Sequence, residues 1–194
     1  MADRSRGGLP RAVDIALATL GLAVTSPVLL VAAVAIKLGS RGPVLYRQPR
    51  IGKRGRPFDL FKLRTMHVGA DPVGVGTPVL EDDPRVTRPG RVLRRFSLDE
   101  IPNLVNVLRG EMAIVGPRPT LGAQVELYTP RQRRRLEVKP GLTGWAQVNG
   151  RAGIPWEDRI EFDVWYVDHR SLALDLRILA RTLRLLVTGH GLYG

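Results

Sequence analysis

The stretch "DIALATLGLAVTSPVLLVAAVAIK", residues 14–37, carries 22 consecutive uncharged residues after Asp14. Roughly 20 apolar residues are enough for a helix to cross the hydrocarbon core of a bilayer. Ser26-Pro27 interrupts the middle of the run. Proline has no amide hydrogen and its ring crowds the preceding turn, so a helix bends or breaks there. In lipid the carbonyl freed in this way needs another donor, and the Ser26 hydroxyl is the local one. Both flanks are basic: Arg4, Arg6 and Arg11 precede the run, and Lys37, Arg41, Arg47, Arg50, Lys53, Arg54 and Arg56 follow it. Positively charged flanks stay on the cytoplasmic side, so a segment basic at both ends favours both ends on one side. A re-entrant helix bent at Ser26-Pro27 meets both conditions, and a simple kinked transmembrane helix remains the plainer alternative. The run exceeds the roughly 7–15 residues of a signal-peptide core, and "AAVAIK" leads straight into a basic segment, so the stretch is expected to be retained.

The 194 residues suffice for one domain with a core. Lys and Arg number 30 against 18 Asp and Glu, a formal charge of +12. Such a charge predicts polyanionic partners: nucleic acid, anionic lipid or phosphorylated substrates. The long apolar run favours lipid, and no nucleic-acid-binding module is recognisable. The chain has no cysteine, which excludes disulfides and thiolate metal sites. His67, His169 and His190 are too scattered for a histidine-rich metal site.

Along the rest of the chain, residues 38–57 read as turns with a short extended piece, "VLYRQ". "FDLFKLRTM" (58–66) alternates as a strand does, with Lys62 and Arg64 on one face. Residues 67–90 form a Gly-, Pro- and Asp-rich loop. The best helix signal lies in 91–120, where Leu104, Val107 and Leu108 recur at helical spacing and Gly110 is a stop. Residues 131–151 change from a basic helix to a turn-rich stretch, and 156–189 read as two helices. In the last of these, Arg177, Arg181 and Arg184 share one face while Leu176, Leu179, Leu183 and Leu186 line another. That pattern suits a helix at headgroup level, and equally a core-packed helix with a solvated basic face.

"SLDEIP" places Asp99 and Glu100 side by side. Ser97 and Glu100 match the S-x-x-E capping box. Pro102 argues against that register, because proline fits easily only within the first turn. The helix is therefore expected to start at or after Asp99, with both carboxylates near its phosphate-attracting end. Adjacent carboxylates there are able to divide labour as nucleophile and metal ligand. "GPRP" (116–119) bounds Arg118 with Pro117 and Pro119, holding a rigid phosphate-binding fork at low entropic cost. Lys62, Arg64, Arg94 and Arg95 add positive charge that would suit a pyrophosphate. No Walker A, G-x-S-x-G or H-E-x-x-H motif is present.

In sequence order, Arg11-x-x-Asp14, the Ser26-Pro27 apolar run, "GPVLYRQPRIGKRGRPF", "FKLRTM", "DPRVTRPGRVLRRFSLDEIPNLVNVLRGEMAIVGPRP", "KPGLTGWAQVNGR", "FDVWYVD", "SLALDLRIL" and "TGHGLYG" resemble the monotopic phosphoglycosyl transferases, bacterial sugar transferases that start glycan assembly on a polyprenyl phosphate. The resemblance implies an α+β, helix-rich fold: a re-entrant membrane helix over residues 1–40, then a small catalytic domain over 41–194 with short strands and amphipathic interfacial helices. It implies a protein on the cytoplasmic face of the bacterial inner membrane that uses Mg²⁺. The reaction would move a sugar-1-phosphate from a UDP-sugar to polyprenyl phosphate and release UMP. Exopolysaccharide, O-antigen, capsule or glycoprotein glycan synthesis would follow. By the same resemblance Asp99 is the nucleophile, Glu100 the metal ligand, Arg118 a nucleotide-recognising arginine, and Lys62 and Arg94 phosphate neighbours. Asp163 and Asp175 match acidic positions without an assigned role. The implied partners are the UDP-sugar, polyprenyl phosphate and anionic lipid, with no nucleic acid and with a homodimer left open. A non-catalytic lipid-surface protein and a single-step transferase are the competing functions.

Overall fold

The computed structural model describes residues 7–70, 83–150 and 155–188. The centre of the predicted 67–90 loop, Arg151 and the "GHGLYG" end therefore lie outside the described residues. The apolar run forms α1 (Arg11–Gly39), one helical element that passes through Pro27. Pro27 leaves the Ala23 carbonyl without its amide donor. The Ser26 hydroxyl donates to that carbonyl at 2.8 Å, and the Thr25 hydroxyl donates to the Gly21 carbonyl at 2.6 Å. The local hydroxyl expected to serve the freed carbonyl does so.

α1 is buried at its two ends, through Asp14 and Ala18 at one and Ala32 and Ile36 at the other, with Gly21, Leu22, Thr25 and Leu29 half-buried between them. On the outer side Leu20, Val24, Leu30 and Val31 are each at least 60 % exposed. A continuous apolar face of this size marks a surface meant for something other than water. The first turn is pinned by polar contacts. Asp14 Oδ1 accepts from the Ile114 amide at 3.0 Å. Arg11 donates to the Val107 and Leu108 carbonyls at 2.6 and 2.9 Å. Both carbonyls lie in the last turn of α3 (Asn103–Arg109), where Gly110, at φ 81°, closes the helix by donating to the Val107 carbonyl as well. At the far end Ala32 and Ile36 pack with Leu63 and Leu93. Both ends of α1 are thus fastened to the same body.

That body begins with an antiparallel hairpin of β1 (Leu45–Ile51) and β2 (Pro57–Leu63), with Leu45 opposite Leu63 and Ile51 opposite Pro57. β1 runs further than "VLYRQ" because a two-stranded sheet leaves each strand an open edge that tolerates Pro49. Asn106 is fully buried and locks β2. Its side chain accepts from the Phe61 amide at 3.1 Å and donates to the Asp59 carbonyl at 2.7 Å. α2 (Arg88–Arg95) is capped by the Thr87 hydroxyl, which accepts from the Gly90 amide. In α3 Leu104 and Val107 enter the core, whereas Leu108 is 37 % exposed.

β3 (Ala113–Val115) and β4 (Gly141–Thr143) pair in parallel, and α4 (Gly122–Glu126) lies in the connection between them. The predicted basic helix before β4 is instead a 3-10 segment, Gln132–Glu137. The turn-rich stretch after it contains β4 and a single turn, α5 (Trp145–Val148). At Gly141 a side chain is excluded: a Cβ would stand 2.1 Å from the Gly116 amide nitrogen and 2.5 Å from the Thr143 carbonyl oxygen. These are backbone atoms that have no rotamer to escape into. Gly141→Ala is expected to destabilise the protein by about 2 kcal/mol or more, measured by thermal unfolding in detergent. An unchanged melting temperature would contradict this close approach.

The two predicted C-terminal helices are α6 (Trp156–His169) and α7 (Leu172–Thr188). The face of α7 that meets the core is Leu174, Asp175 and Ile178, not the line of leucines read from the sequence. Leu176 and Leu183 are 54 % and 64 % exposed, and Leu179 is half-buried. The Leu186 side chain lies outside the described residues. α7 therefore carries one apolar face inward and a second outward, beside exposed Arg177, Arg181 and Arg184. The main core joins Ala18 of α1, Leu60 of β2, Leu104 and Val107 of α3, β3, Tyr166 and Val167 of α6, and Leu174 and Ile178 of α7.

Candidate active site

After α2 the chain reverses at Ser97, which adopts a left-handed conformation (φ 53°, ψ 23°) rare for a residue with a side chain. A 3-10 turn, Leu98–Glu100, then carries both carboxylates, and Pro102 stands at the cap position of α3. Ser97 makes no side-chain cap hydrogen bond. The capping-box register is therefore not used, and Pro102 falls where its missing amide hydrogen is harmless, as its position in the sequence predicts. The dyad sits on the turn ahead of α3 rather than in its first residues.

The two carboxylates are treated differently by their surroundings. Glu100 Oε1 receives both the Lys62 ammonium at 3.0 Å and the Arg118 guanidinium at 2.7 Å. Burial alone would raise its pKa, but Arg118 and Lys62 outweigh that and hold it well below the usual carboxylate range. Asp99, half-buried, accepts no side-chain hydrogen bond and forms no ion pair among the described residues. Burial, and then the Glu100 charge, raise its pKa against the pull of Lys62 and Arg94. One carboxylate is tied by two ion pairs that favour its anion; its neighbour, held by its own backbone amide, forms no ion pair among the described residues and is destabilised as an anion.

Each flanking cation has its own support. Lys62 projects from β2, the strand fixed by Asn106. Arg94, at the end of α2, donates to the Thr65 hydroxyl at 2.9 Å and stands in the electrostatic field of Asp99. Arg118 is held through its backbone: Arg135 donates to the Arg118 carbonyl at 3.0 Å. Arg135 also pairs with Asp163 and donates to the Tyr128 hydroxyl. The Pro117 carbonyl accepts from the Gly141 amide at 2.8 Å, and the Pro119 carbonyl from Arg50 at 3.4 Å. The "GPRP" loop is thus clamped on three sides.

Other residues singled out in the sequence lie elsewhere. The structure does not bring Arg64 to the dyad: it is 6 % exposed, and its guanidinium is committed to the Arg41 and Ser40 carbonyls at 2.6 and 2.9 Å. It anchors the exit from α1. Asp175 is fully buried and accepts from the Leu9 amide and the Tyr166 hydroxyl, each at 2.8 Å, so it ties the chain start to α6 and α7. Asp163 belongs to the support of Arg118. Burial pushes its pKa up to about 6 in spite of Arg135, so it remains an anion at neutral pH. Ser26 and Pro27 lie in α1 as described. Arg50, Arg135 and Asn106 escaped the sequence reading. Arg50 was one basic flank residue among seven, Arg135 is hidden in "RQRRR", and nothing distinguishes a buried asparagine inside an apolar helix.

A shallow, open cleft lies beside Glu100, lined by Arg50, Lys62, Glu100, Asn103, Arg118 and Leu142 among others. The surplus of cations suits a ligand with several phosphate charges. Among the described residues no group of three or more Asp, Glu, His or Cys is placed to hold a metal. Two adjacent carboxylates still fit Mg²⁺ of the kind that is completed by substrate phosphates. A divalent cation would also relieve the repulsion that raises Asp99.

Comparison with known proteins gives a consistent result. The family described as bacterial sugar transferase matches residues 6–189. An uncharacterized sugar transferase, EpsL, of Bacillus subtilis is 47 % identical over 186 residues, covering 95 % of this chain and 90 % of the relative. A UDP-glucose:undecaprenyl-phosphate glucose-1-phosphate transferase of Caulobacter vibrioides is 46 % identical over 191 residues, 94 % of this chain and 71 % of the relative. The Escherichia coli protein of that same description is 47 % identical over 185 residues, 90 % of this chain but 39 % of the relative.

Proposed function

This chain belongs to the bacterial sugar transferase family, and from that premise we propose that it transfers a sugar-1-phosphate from a UDP-sugar to polyprenyl phosphate in two steps. The observation that carries the reading is the asymmetric dyad, with Glu100 held by Lys62 and Arg118 and Asp99 outside any ion pair among the described residues. In the first step an Asp99 carboxylate oxygen forms a bond to the sugar-bearing phosphorus. The bond from that phosphorus to the bridging oxygen breaks, and UMP leaves with the electron pair. In the second step a phosphate oxygen of the acceptor attacks the same phosphorus and displaces Asp99. Lys62 and Arg118 neutralise the charge that accumulates on the phosphate oxygens, which is most of what phosphoryl transfer asks of a protein. A covalent stage lets a water-soluble donor and a lipid acceptor use one site in turn. Mg²⁺ held by Glu100 and the donor's phosphates would supply further charge neutralisation. The product would prime exopolysaccharide or related glycan assembly.

The membrane reading follows the same logic. α1 is long and apolar enough to cross a membrane, yet both its ends are fastened to one body and both flanks are basic. These features support a segment that enters one leaflet and returns, bent at Ser26-Pro27, from the cytoplasmic face of the inner membrane. The outer apolar face of α7 and its arginines suit the headgroup region of the same leaflet.

Purified protein with Mg²⁺, UDP-glucose and polyprenyl phosphate is expected to release one UMP per lipid-linked sugar phosphate formed. UDP-glucose is the first donor to test because two relatives are named for it. No UMP with any UDP-sugar, from folded protein in lipid, would contradict the reading. The topology has its own test, made simple by the absence of native cysteine. Ala12→Cys and Leu38→Cys are both expected to react with an impermeant maleimide in inside-out vesicles and to be protected in intact cells. Labelling from opposite sides would mean a crossing helix.

A further inference from the structure

The cleft contains a cation that the proposed chemistry has not used. Arg50 lies on β1 opposite Phe58, half-buried. Its Nη2 donates to Gln48 Oε1 at 2.7 Å and its Nη1 to the Pro119 carbonyl at a long 3.4 Å. Its Nε is buried and has no hydrogen-bond partner. Among the described residues no carboxylate forms an ion pair with Arg50, although Lys62 and Arg118 both pair with Glu100. Burial, and then the like charge of Arg118, lower its pKa to about 10, so it is still a cation at neutral pH. A charged fork held beside another arginine, with an unsatisfied donor, is unfavourable for an empty cleft and favourable for one that receives an anion.

The order of contacts says which anion. Asp99 is next to Glu100, Glu100 holds Arg118, and Arg50 bonds the residue after Arg118. The charge of Asp99 acts on Arg118 but not on Arg50, while that of Glu100 acts on both, which places Arg50 further from the nucleophile than Arg118. The sugar-bearing phosphate must stand at Asp99, and the other phosphate of the donor falls further along this line. We propose that Arg50 binds the nucleotide-side phosphate of the donor, the one that departs in UMP, and that Arg50 and Arg118 together clamp the diphosphate. This inference rests on the two-step reading above and goes beyond it by separating a leaving-group site from the Lys62–Glu100–Asp99 group.

UMP is the probe, titrated calorimetrically into the full-length protein in detergent, with unfolding curves recorded for every variant. Arg50→Ala is expected to weaken UMP binding about tenfold or more, and Arg50→Lys to recover part of it. The rate of UMP release from the UDP-sugar without acceptor is expected to fall by at least as much. The acceptor phosphate attacks in line with the Asp99–phosphorus bond, from the side UMP leaves, so discharge of a preformed adduct by polyprenyl phosphate is expected to slow as well. If Arg50→Ala fails to fold, Arg50→Lys carries the test, with weakened UMP binding and slowed UMP release. Unchanged UMP affinity in a folded variant would overturn the assignment. So would slowed discharge with UMP affinity and release unaltered, since Arg50 would then serve the acceptor phosphate alone. Failure of the unmodified protein to bind UMP would overturn the UDP-sugar reading, and the assignment with it.

Discussion

Asp99→Asn is expected to abolish transfer, by about a thousandfold or more, in a protein that folds at least as well as the unmodified chain. The two halves of this expectation have one cause. Burial and the Glu100 charge raise the Asp99 pKa above its ordinary value of 3.8. Between the ordinary and the raised value the folded state binds more protons than the unfolded one. Stability therefore falls as pH rises through that window, and the ionised group costs stability at neutral pH. Replacing it with a neutral amide removes that cost along with the nucleophile. The rate of UMP release from the donor alone should decline as pH falls through the raised pKa, because only the anion attacks. A variant that loses both activity and melting temperature would point to a structural role for Asp99 instead.

The second large effect is expected at Asp163. Asp163 and Arg135 form an ion pair with side chains only 3 % and 7 % exposed. Removing one partner of a buried pair leaves the other charge uncompensated, and Asp163→Ala is expected to destabilise the protein by about 3–5 kcal/mol. Arg135 also bonds the Arg118 carbonyl, so the loss should reach the site. At temperatures where the variant is folded, KM for the UDP-sugar should rise more than kcat falls. Asp163→Asn, which keeps an acceptor for Arg135, should lie between. A loss of stability under about 1 kcal/mol in chemical denaturation, or an unchanged KM, would dissociate this pair from Arg118.

Much of the architecture was legible because it rests on local chemistry. Pro27 and Ser26 predict their own hydrogen-bond exchange, Gly110 predicts the end of α3, and Pro102 excludes the Ser97 capping register. The dyad and the proline-bounded Arg118 stood out because rare residue types sit at fixed short spacing. What escaped depends on contacts between distant segments. Arg64 follows Lys62 at strand spacing, so periodicity assigns the two one face and one role, yet Arg64 lies just past β2 and is taken by the carbonyls after α1. Arg135 is separated from its role by the inward turn of the 3-10 segment between two prolines, which no basic run announces. In α7 the face that meets the core, Leu174, Asp175 and Ile178, stands beside a more conspicuous line of leucines, and a leucine count does not tell which face is buried. Arg50 acquires meaning only when the hairpin and the "GPRP" loop are brought together.

The central claim is that Asp99 takes the sugar phosphate before the lipid does. Mass spectrometry of the intact protein with Mg²⁺ and UDP-glucose, in the absence of any acceptor, tests it most directly. The expected result is a mass increase of one phosphosugar, located on a peptide that contains Asp99 and absent from Asp99→Asn, together with about one UMP per protein. UMP released only when polyprenyl phosphate is added, with no adduct at any time, would contradict it and establish transfer in a single step.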